Sequence, residues 1–95
     1  MNYQFESEVW LYEGQGAWHF VTLPKDISEE IKEVYGPQAG GWGSIKANVE
    51  INGVSWKTSI FPDKKTGAYL LPLKADVRKK ANIQVGDLIK AKIII

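Results

Sequence analysis

The chain has 95 residues, with twelve basic and eleven acidic side chains, a formal net charge of +1 and no cysteine. A chain of this length forms one domain, residues 1–95, and buries roughly two-thirds of its extended surface. The balanced charge excludes a global field that would attract nucleic acid or anionic lipid, and the lack of cysteine excludes disulfides and thiolate metal sites. No charged-then-apolar leader and no apolar run near the ~20 residues of a membrane span occur, so we expect a cytoplasmic protein with no membrane partner.

Two strands and a glycine turn open the chain. Apolar and polar residues nearly alternate over residues 3–12, as in a half-buried strand, with an irregularity at Val9-Trp10 that indicates a bulge or a strand end. A second alternating stretch covers residues 17–23, where Trp18 and Phe20 fall on the apolar face. The turn at residues 13–16 joins the two stretches, so we expect a β-hairpin.

A short amphipathic helix follows this hairpin. Pro24 suits a first helical turn, and Ile27, Ile31 and Val34 recur at helical spacing. Gly36, followed by a proline, predicts where the helix ends.

The rest of the chain predicts a second hairpin, another strand, a basic helix and a final strand. Asn52-Gly53 is a strong hairpin signal because both turn positions need positive φ. The predicted elements are strands over 44–51, 54–61 and 68–73, a helical turn or two over 74–83, and a strand over 88–95.

The two halves of the chain, about residues 2–52 and 53–95, are similar. Ile-Lys-Ala occurs at 45–47 and at 89–91, and Gly16-Ala17-Trp18 matches Gly67-Ala68-Tyr69. Chance likeness between short β segments is the alternative, but the matches keep the same order in both halves. Two β-β-α-β halves predict a mainly β fold with two short helices, closed as a small barrel about a pseudo-twofold axis. Because both half-barrels lie on one chain, we expect a monomer.

Several motifs together carry a family resemblance. They are WHFVTLP at 18–24, GWGSI at 41–45, WKTSIFP at 56–62, YLLPLKADVR at 69–78 and VGD at 85–87. In this combination and order the chain resembles, over nearly its whole length, a bacterial family of unknown function, the domain of unknown function numbered nineteen-oh-five. The resemblance implies a double-split β-barrel, the fold class of AbrB/MazE-type transcription factors. Its members occur alone or joined to a YdeI/OmpD-associated domain, and their activity is not established, so the resemblance implies no reaction.

No group of residues predicts catalysis, so we expect a protein that is not an enzyme and uses no cofactor or metal. His19 is the single histidine and is expected on the exposed side of its strand. Ser44 or Ser59 with His19 and an aspartate would be a formal triad, but neither serine lies in a nucleophile elbow. One histidine and scattered carboxylates make no metal-ligand cluster.

The glycine-rich loop AGGWGS at residues 39–44 has two interpretations. Its amides could bind phosphate, but it leads into a strand and lacks the lysine of a P-loop. The favoured interpretation is structural: the glycines supply unusual backbone angles, and Trp42 packs over the mouth of the barrel.

Binding of an anionic small molecule or nucleic acid is the main functional hypothesis. The second half of the chain is rich in lysine and the first in glutamate, although an ordinary solvated surface would have the same composition. Lys57, Lys74 and Arg78 would hold the anion, with Trp42 and Tyr69 as stacking or packing partners, and phosphate binding of this kind weakens steeply with salt. The candidate binding residues are Trp42, Ser44, Lys57, Thr58, Ser59, Tyr69, Lys74 and Arg78.

Two other functions stay open. A partner protein would bind an exposed apolar patch around Trp10, Tyr12 and Trp42. A small molecule would occupy a pocket inside the barrel, although small barrels are usually filled by their own side chains. The residues expected to line that pocket are Trp18, Trp42, Trp56 and Tyr69.

Overall fold

The computed structural model describes residues 1–14 and 16–95. That part of the chain contains two α-helices and short 3-10 turns at Gly36–Gln38 and Gly41–Gly43, and none of these helices is long and apolar enough to cross a membrane. The predicted turn at 13–16 contains Gln15, which lies outside the described residues. The elements are β1 (Asn2–Leu11), β2 (His19–Thr22), α1 (Lys25–Tyr35), β3 (Ile45–Ile51), β4 (Val54–Pro62), β5 (Tyr69–Pro72), α2 (Ala75–Ala81) and β6 (Leu88–Ile94).

The strands form a closed antiparallel barrel in the order β1-β2-β5-β4-β3-β6. The predicted mainly β barrel with two helices is therefore confirmed. Both predicted hairpins are present, with Val9 opposite Val21 in the first and Val49 opposite Trp56 in the second. Asn52 and Gly53 adopt the positive φ angles, 52° and 79°, that the turn between β3 and β4 requires.

Strand β1 changes its neighbour near its end. Residues 2–8 pair with β6, whereas Val9, Trp10 and Leu11 pair with β2. The irregularity in the sequence at Val9-Trp10 therefore marks the point where β1 passes from one neighbour to the other.

The strand order is symmetric with respect to the two halves of the chain. If β1, β2 and β3 exchange places with β4, β5 and β6, every strand keeps the same kind of neighbour, and β2 pairs with β5 and β3 with β6. Val21 lies opposite Leu71 and Val49 opposite Ile93, and the flanking pairs are arranged symmetrically about these two. A pseudo-twofold axis would produce this arrangement, and the internal duplication itself stays a prediction.

The hydrogen bonds between the two halves show which residues correspond to each other, and at one position this differs from the predicted alignment. Leu23 N–H donates to Tyr69 O and Leu73 N–H donates to His19 O, both at 2.9 Å. The position that corresponds to Tyr69 is therefore His19, one residue along from the expected Trp18.

The interior of the barrel is filled by side chains. Alternate residues of each strand point inward, and β3 shows this most clearly because Ile45, Ala47, Val49 and Ile51 are all buried. In α1 the core contact is Ile31, while Val34, assigned by spacing to the apolar face, is exposed.

The assignment of Trp18 and Phe20 to the buried face is wrong. Val21 and Leu23 are almost completely buried, whereas Trp18 is half exposed and Phe20 is only partly covered. Neighbouring residues in a strand point to opposite faces, and here the aliphatic side chains of Val21 and Leu23 are the ones that point into the core. The aromatic set is left on the outside of the barrel.

Candidate functional site

The predicted binding residues do not converge on one site. Lys57, Thr58 and Ser59 of β4 line a depression of about 460 Å³ on the outer face of β3 and β4, together with Lys46 and Asn48. Lys46, Asn48, Lys57 and Ser59 reach this depression because alternate residues of both strands point outward.

One further predicted residue, Ser44, lies beside that depression, and two lie elsewhere. Ser44 and Ser59 share an adjacent depression of about 340 Å³. Lys74 and Arg78 instead line a small depression of about 230 Å³ beside β2 and α2. The predicted cations therefore belong to two separate places on the surface.

The two predicted aromatic partners have opposite surroundings. Tyr69 is 2% exposed and belongs to the core, where burial raises the pKa of its hydroxyl, so its ring cannot stack on a ligand. Trp42 is 93% exposed, so the expectation that it packs over the barrel mouth is wrong. The glycines of its loop do supply unusual angles, since Gly43 has φ 74° and an added Cβ there would lie 2.9 Å from Cγ of Pro62.

The prediction of a small-molecule pocket inside the barrel, with the lining residues expected from the sequence, is also wrong. Two of the expected lining residues, Trp18 and Trp42, are on the surface, and the interior is occupied by a continuous buried cluster that includes Leu71 and Ile93.

An apolar groove lies on the outside of the barrel, and we call it the aromatic groove. It has a volume of about 310 Å³ and crosses the outer faces of β2, β4 and β5 and the end of β1. The side chains that line it are Tyr12, Trp18, Phe20, Phe61 and Leu70.

Ring contacts hold this groove in shape. The Trp18 and Phe20 rings are stacked, with centroids 6.0 Å apart and planes 6° from parallel. Tyr12 meets Phe20 edge to face with centroids 6.3 Å apart, and the Trp10 ring packs against Phe20 at a tilt with centroids 5.3 Å apart. Trp10 Nε1 donates to Thr22 Oγ1 at 2.9 Å, which fixes its indole beside the groove.

Strand pairing explains why these rings meet. Trp10 lies opposite Phe20, and Phe61 lies opposite Leu70, so apolar side chains from neighbouring strands share the outer surface. The exposed patch expected from the sequence comprised Trp10, Tyr12 and Trp42, whereas Trp18 and Phe20 were expected on the buried face. The outward direction of Phe61 does follow from the sequence, because Phe61 has the same parity along β4 as exposed Lys57 and therefore points to the same face.

A positively charged site adjoins the groove, and we call it the cationic corner: His19, Lys74 and Arg78. All three line one depression with Trp18, which also lines the aromatic groove. Arg78 Nε donates to Leu73 O at 3.1 Å, and Arg78 Nη1 lies 3.1 Å from His19 Nε2. His19, expected on the exposed side of its strand, is only partly exposed.

These contacts define the state of the His19 ring. His19 Nδ1 lies 2.8 Å from Ala17 O, and a carbonyl can only accept, so Nδ1 carries the proton. Nε2 is then free to accept from the Arg78 guanidinium, which can only donate. The neutral Nδ1–H ring satisfies both contacts at once.

The described residues offer no metal centre, since no three His, Asp or Glu side chains come together within 1–14 and 16–95.

Comparison with curated proteins finds no significant match. A family model does match residues 5–93, nearly the whole chain. The chain therefore belongs to the family described as Domain of unknown function (DUF1905).

Proposed function

We propose that this domain binds a partner protein, without catalysing a reaction, and that the aromatic groove receives an apolar segment of that partner. The observation that carries the proposal is the exposure of the groove. Tyr12 and Trp18 are each 49% exposed and Phe61 is 37% exposed, on the outside of a barrel whose core is already filled. Contiguous exposed aromatic side chains are typical of protein interaction sites, where Trp and Tyr supply much of the binding energy.

The chemistry of the groove favours a peptide over nucleic acid. The five side chains that line it are uncharged, whereas nucleic-acid binding depends on several phosphate contacts. Lys57 and Lys74, the cations predicted for phosphate, lie in separate depressions.

The occupant is an extended segment that carries a large apolar side chain and a negative charge. A groove of about 310 Å³ accommodates one or two side chains. The cationic corner adjoins it through Trp18, so charge complementarity favours an acidic group beside the apolar one.

A random peptide display library tests the proposal. We expect selection on the domain to enrich peptides that combine large apolar residues with a negative charge. Trp18→Ala and Phe61→Ala should each weaken binding of the enriched peptides about tenfold or more, as loss of a binding hot spot does. Trp42→Asn, which changes an exposed tryptophan that does not line the groove, is the matched control and should bind like the unmodified chain. Enriched peptides that bind Trp18→Ala and Phe61→Ala at full strength would contradict the proposal.

Anion binding is a second candidate, supported by one observation. Lys46, Lys57 and the hydroxyl of Ser59 line the same depression on β3 and β4. Titration with inorganic phosphate and with single-stranded and duplex DNA at low salt tests it. Binding that weakens steeply with salt and is lost in Lys57→Ala supports this candidate, and no binding at low salt excludes it.

A further inference from the structure

We propose that the cationic corner binds the C-terminal carboxylate of the partner, whose last side chain lies in the aromatic groove. This inference rests on the proposed function and specifies the partner: a chain that ends in an aromatic or large aliphatic residue with a free carboxylate.

Arg78 is held in place for such a contact. Its side chain is partly buried, and bonds to Leu73 O and to His19 Nε2 fix the plane of the guanidinium. These bonds use two of the five N–H donors of an arginine, so a planar group with further donors faces the depression. A guanidinium held in this way matches the geometry of a carboxylate.

The corresponding position in the first half of the chain holds a serine instead of an arginine. α1 begins at Lys25 and α2 at Ala75, so Arg78 occupies the place that Ser28 has in α1. Ser28 Oγ donates to Leu23 O at 3.4 Å, just as Arg78 Nε donates to Leu73 O at 3.1 Å. A small buried hydroxyl makes the equivalent structural bond, so this bond alone does not account for the long cationic side chain of Arg78.

His19 shows the same difference between the halves. Its counterpart Tyr69 is buried in the core, whereas the His19 ring reaches the surface depression and orients Arg78. The charged depression therefore lies where His19 and Arg78 meet, whereas their counterparts Tyr69 and Ser28 are buried.

The charges around the depression favour an anion. Lys74 is exposed at its edge and adds a second cation to Arg78. The residues that line it in the described part of the chain include no aspartate or glutamate.

The position of Trp18 favours a terminal carboxylate over an acidic side chain. One indole lines both the cationic corner and the aromatic groove, so the two sites are adjacent. A C-terminal residue carries its carboxylate and its side chain on the same Cα and can occupy both sites at once. An internal acidic residue would place its charge at least one residue away from the apolar side chain.

Three synthetic peptides test the inference by NMR titration of the 15N-labelled domain. The first is acetyl-Ala-Ala-Leu-Phe with a free carboxylate, the second is its C-terminal amide, and the third is acetyl-Ala-Glu-Phe-Ala amide, which carries an internal acid. We expect all three to shift the Trp18 indole signal and only the free acid to shift the Arg78 Nε–H signal. The free acid should bind about tenfold tighter than the amide, as expected for charge-assisted hydrogen bonds.

Variants connect that preference to the corner. Arg78→Gln should abolish the preference for the free acid over the amide, and Arg78→Lys, which keeps the charge but loses the planar fork, should retain only part of it. Lys79→Gln removes one charge from an exposed position of the same helix and should leave the preference unchanged. Arg78→Lys also provides the test if Arg78→Gln does not give a folded NMR spectrum.

The outcomes separate the two proposals. Equal binding of free acid and amide, with the Trp18 signal shifted by both, overturns the carboxylate site and leaves the groove as a peptide site. Binding of the internal-acid peptide as tight as that of the free acid overturns the terminal carboxylate. If none of the peptides shifts the Trp18 signal at millimolar concentration, the groove proposal fails together with the inference.

Discussion

The backbone N–H of Tyr69 donates to Ser28 Oγ at 3.0 Å, which joins a helix of the first half to a strand of the second. Ser28 is 1% exposed and Tyr69 is 2% exposed, so neither group has access to water. The hydroxyl also donates to Leu23 O at 3.4 Å and so connects α1 and β5 with the segment between β2 and α1.

Ser28→Ala should therefore destabilise the domain more than a surface change would. The substitution leaves the Tyr69 N–H buried without an acceptor, and an unsatisfied buried donor costs about 1–3 kcal/mol. Urea denaturation followed by circular dichroism measures the free energy of unfolding. Ser55→Ala, which removes an exposed hydroxyl, is the control and should change it by less than about 0.5 kcal/mol. Equal denaturation midpoints for the two variants would contradict the role given to Ser28.

Stability should decrease in alkaline solution because of Tyr3 and Tyr69. Burial raises the pKa of Tyr3 from 10.0 to about 12, with a further contribution from the Glu30 carboxylate, and burial also raises the pKa of Tyr69. A raised pKa means that the folded state holds the proton more tightly than the unfolded state. The resulting stabilisation is complete below a pH of about 10 and is lost as the pH rises from about 10 through about 12.

Tyr3→Phe tests this dependence, since it removes the ionisable hydroxyl and keeps the ring. The free energy of unfolding of the variant should fall less steeply than that of the unmodified chain between a pH of about 10 and about 12. Tyr12→Phe changes an exposed tyrosine and serves as the control. A slope for Tyr3→Phe identical to that of the unmodified chain would show that Tyr3 does not contribute.

The sequence was sufficient to predict the elements of the fold but not the location of its functional surface. Alternation and the Asn52-Gly53 turn are local signals, and the strands and both hairpins were found where these signals placed them. The alternation of apolar residues did not show which face of the chain is buried around Trp18. Apolar residues occupy both faces of β2, so the sequence alone does not distinguish the inner face from the outer one. The cationic corner depends on the contact of His19 with Arg78, 59 residues apart, which only the closed barrel brings about.

Asn52 should have two separable contributions to stability. It adopts φ 52°, a left-handed conformation, and its Nδ2 donates to Ala81 O at the end of α2 at 2.8 Å. Asn52→Gly should lose the hydrogen bond alone, about 1 kcal/mol, since glycine adopts positive φ without strain. Asn52→Ala should lose about 1 kcal/mol more because its Cβ disfavours the left-handed region. Equal losses of unfolding free energy for the two variants would rule out the backbone contribution.

Trp42 should contribute almost nothing to folding, in contrast to Trp56. Trp42 is 93% exposed and has φ 65°, a conformation that asparagine tolerates better than tryptophan. Trp42→Asn should therefore change the free energy of unfolding by less than about 0.5 kcal/mol. Trp56 packs against the core cluster, so Trp56→Ala should lower it by about 2 kcal/mol or more.

Fluorescence provides an independent check on the same pair of residues. Because the Trp42 indole is open to solvent, Trp42→Asn should remove the emission that acrylamide quenches most readily, whereas Trp56→Ala should leave that emission in place. A large loss of stability in Trp42→Asn would mean that this indole packs against the domain after all. A stable variant without the quenchable emission instead shows that Trp42 is an exposed side chain that folding does not require.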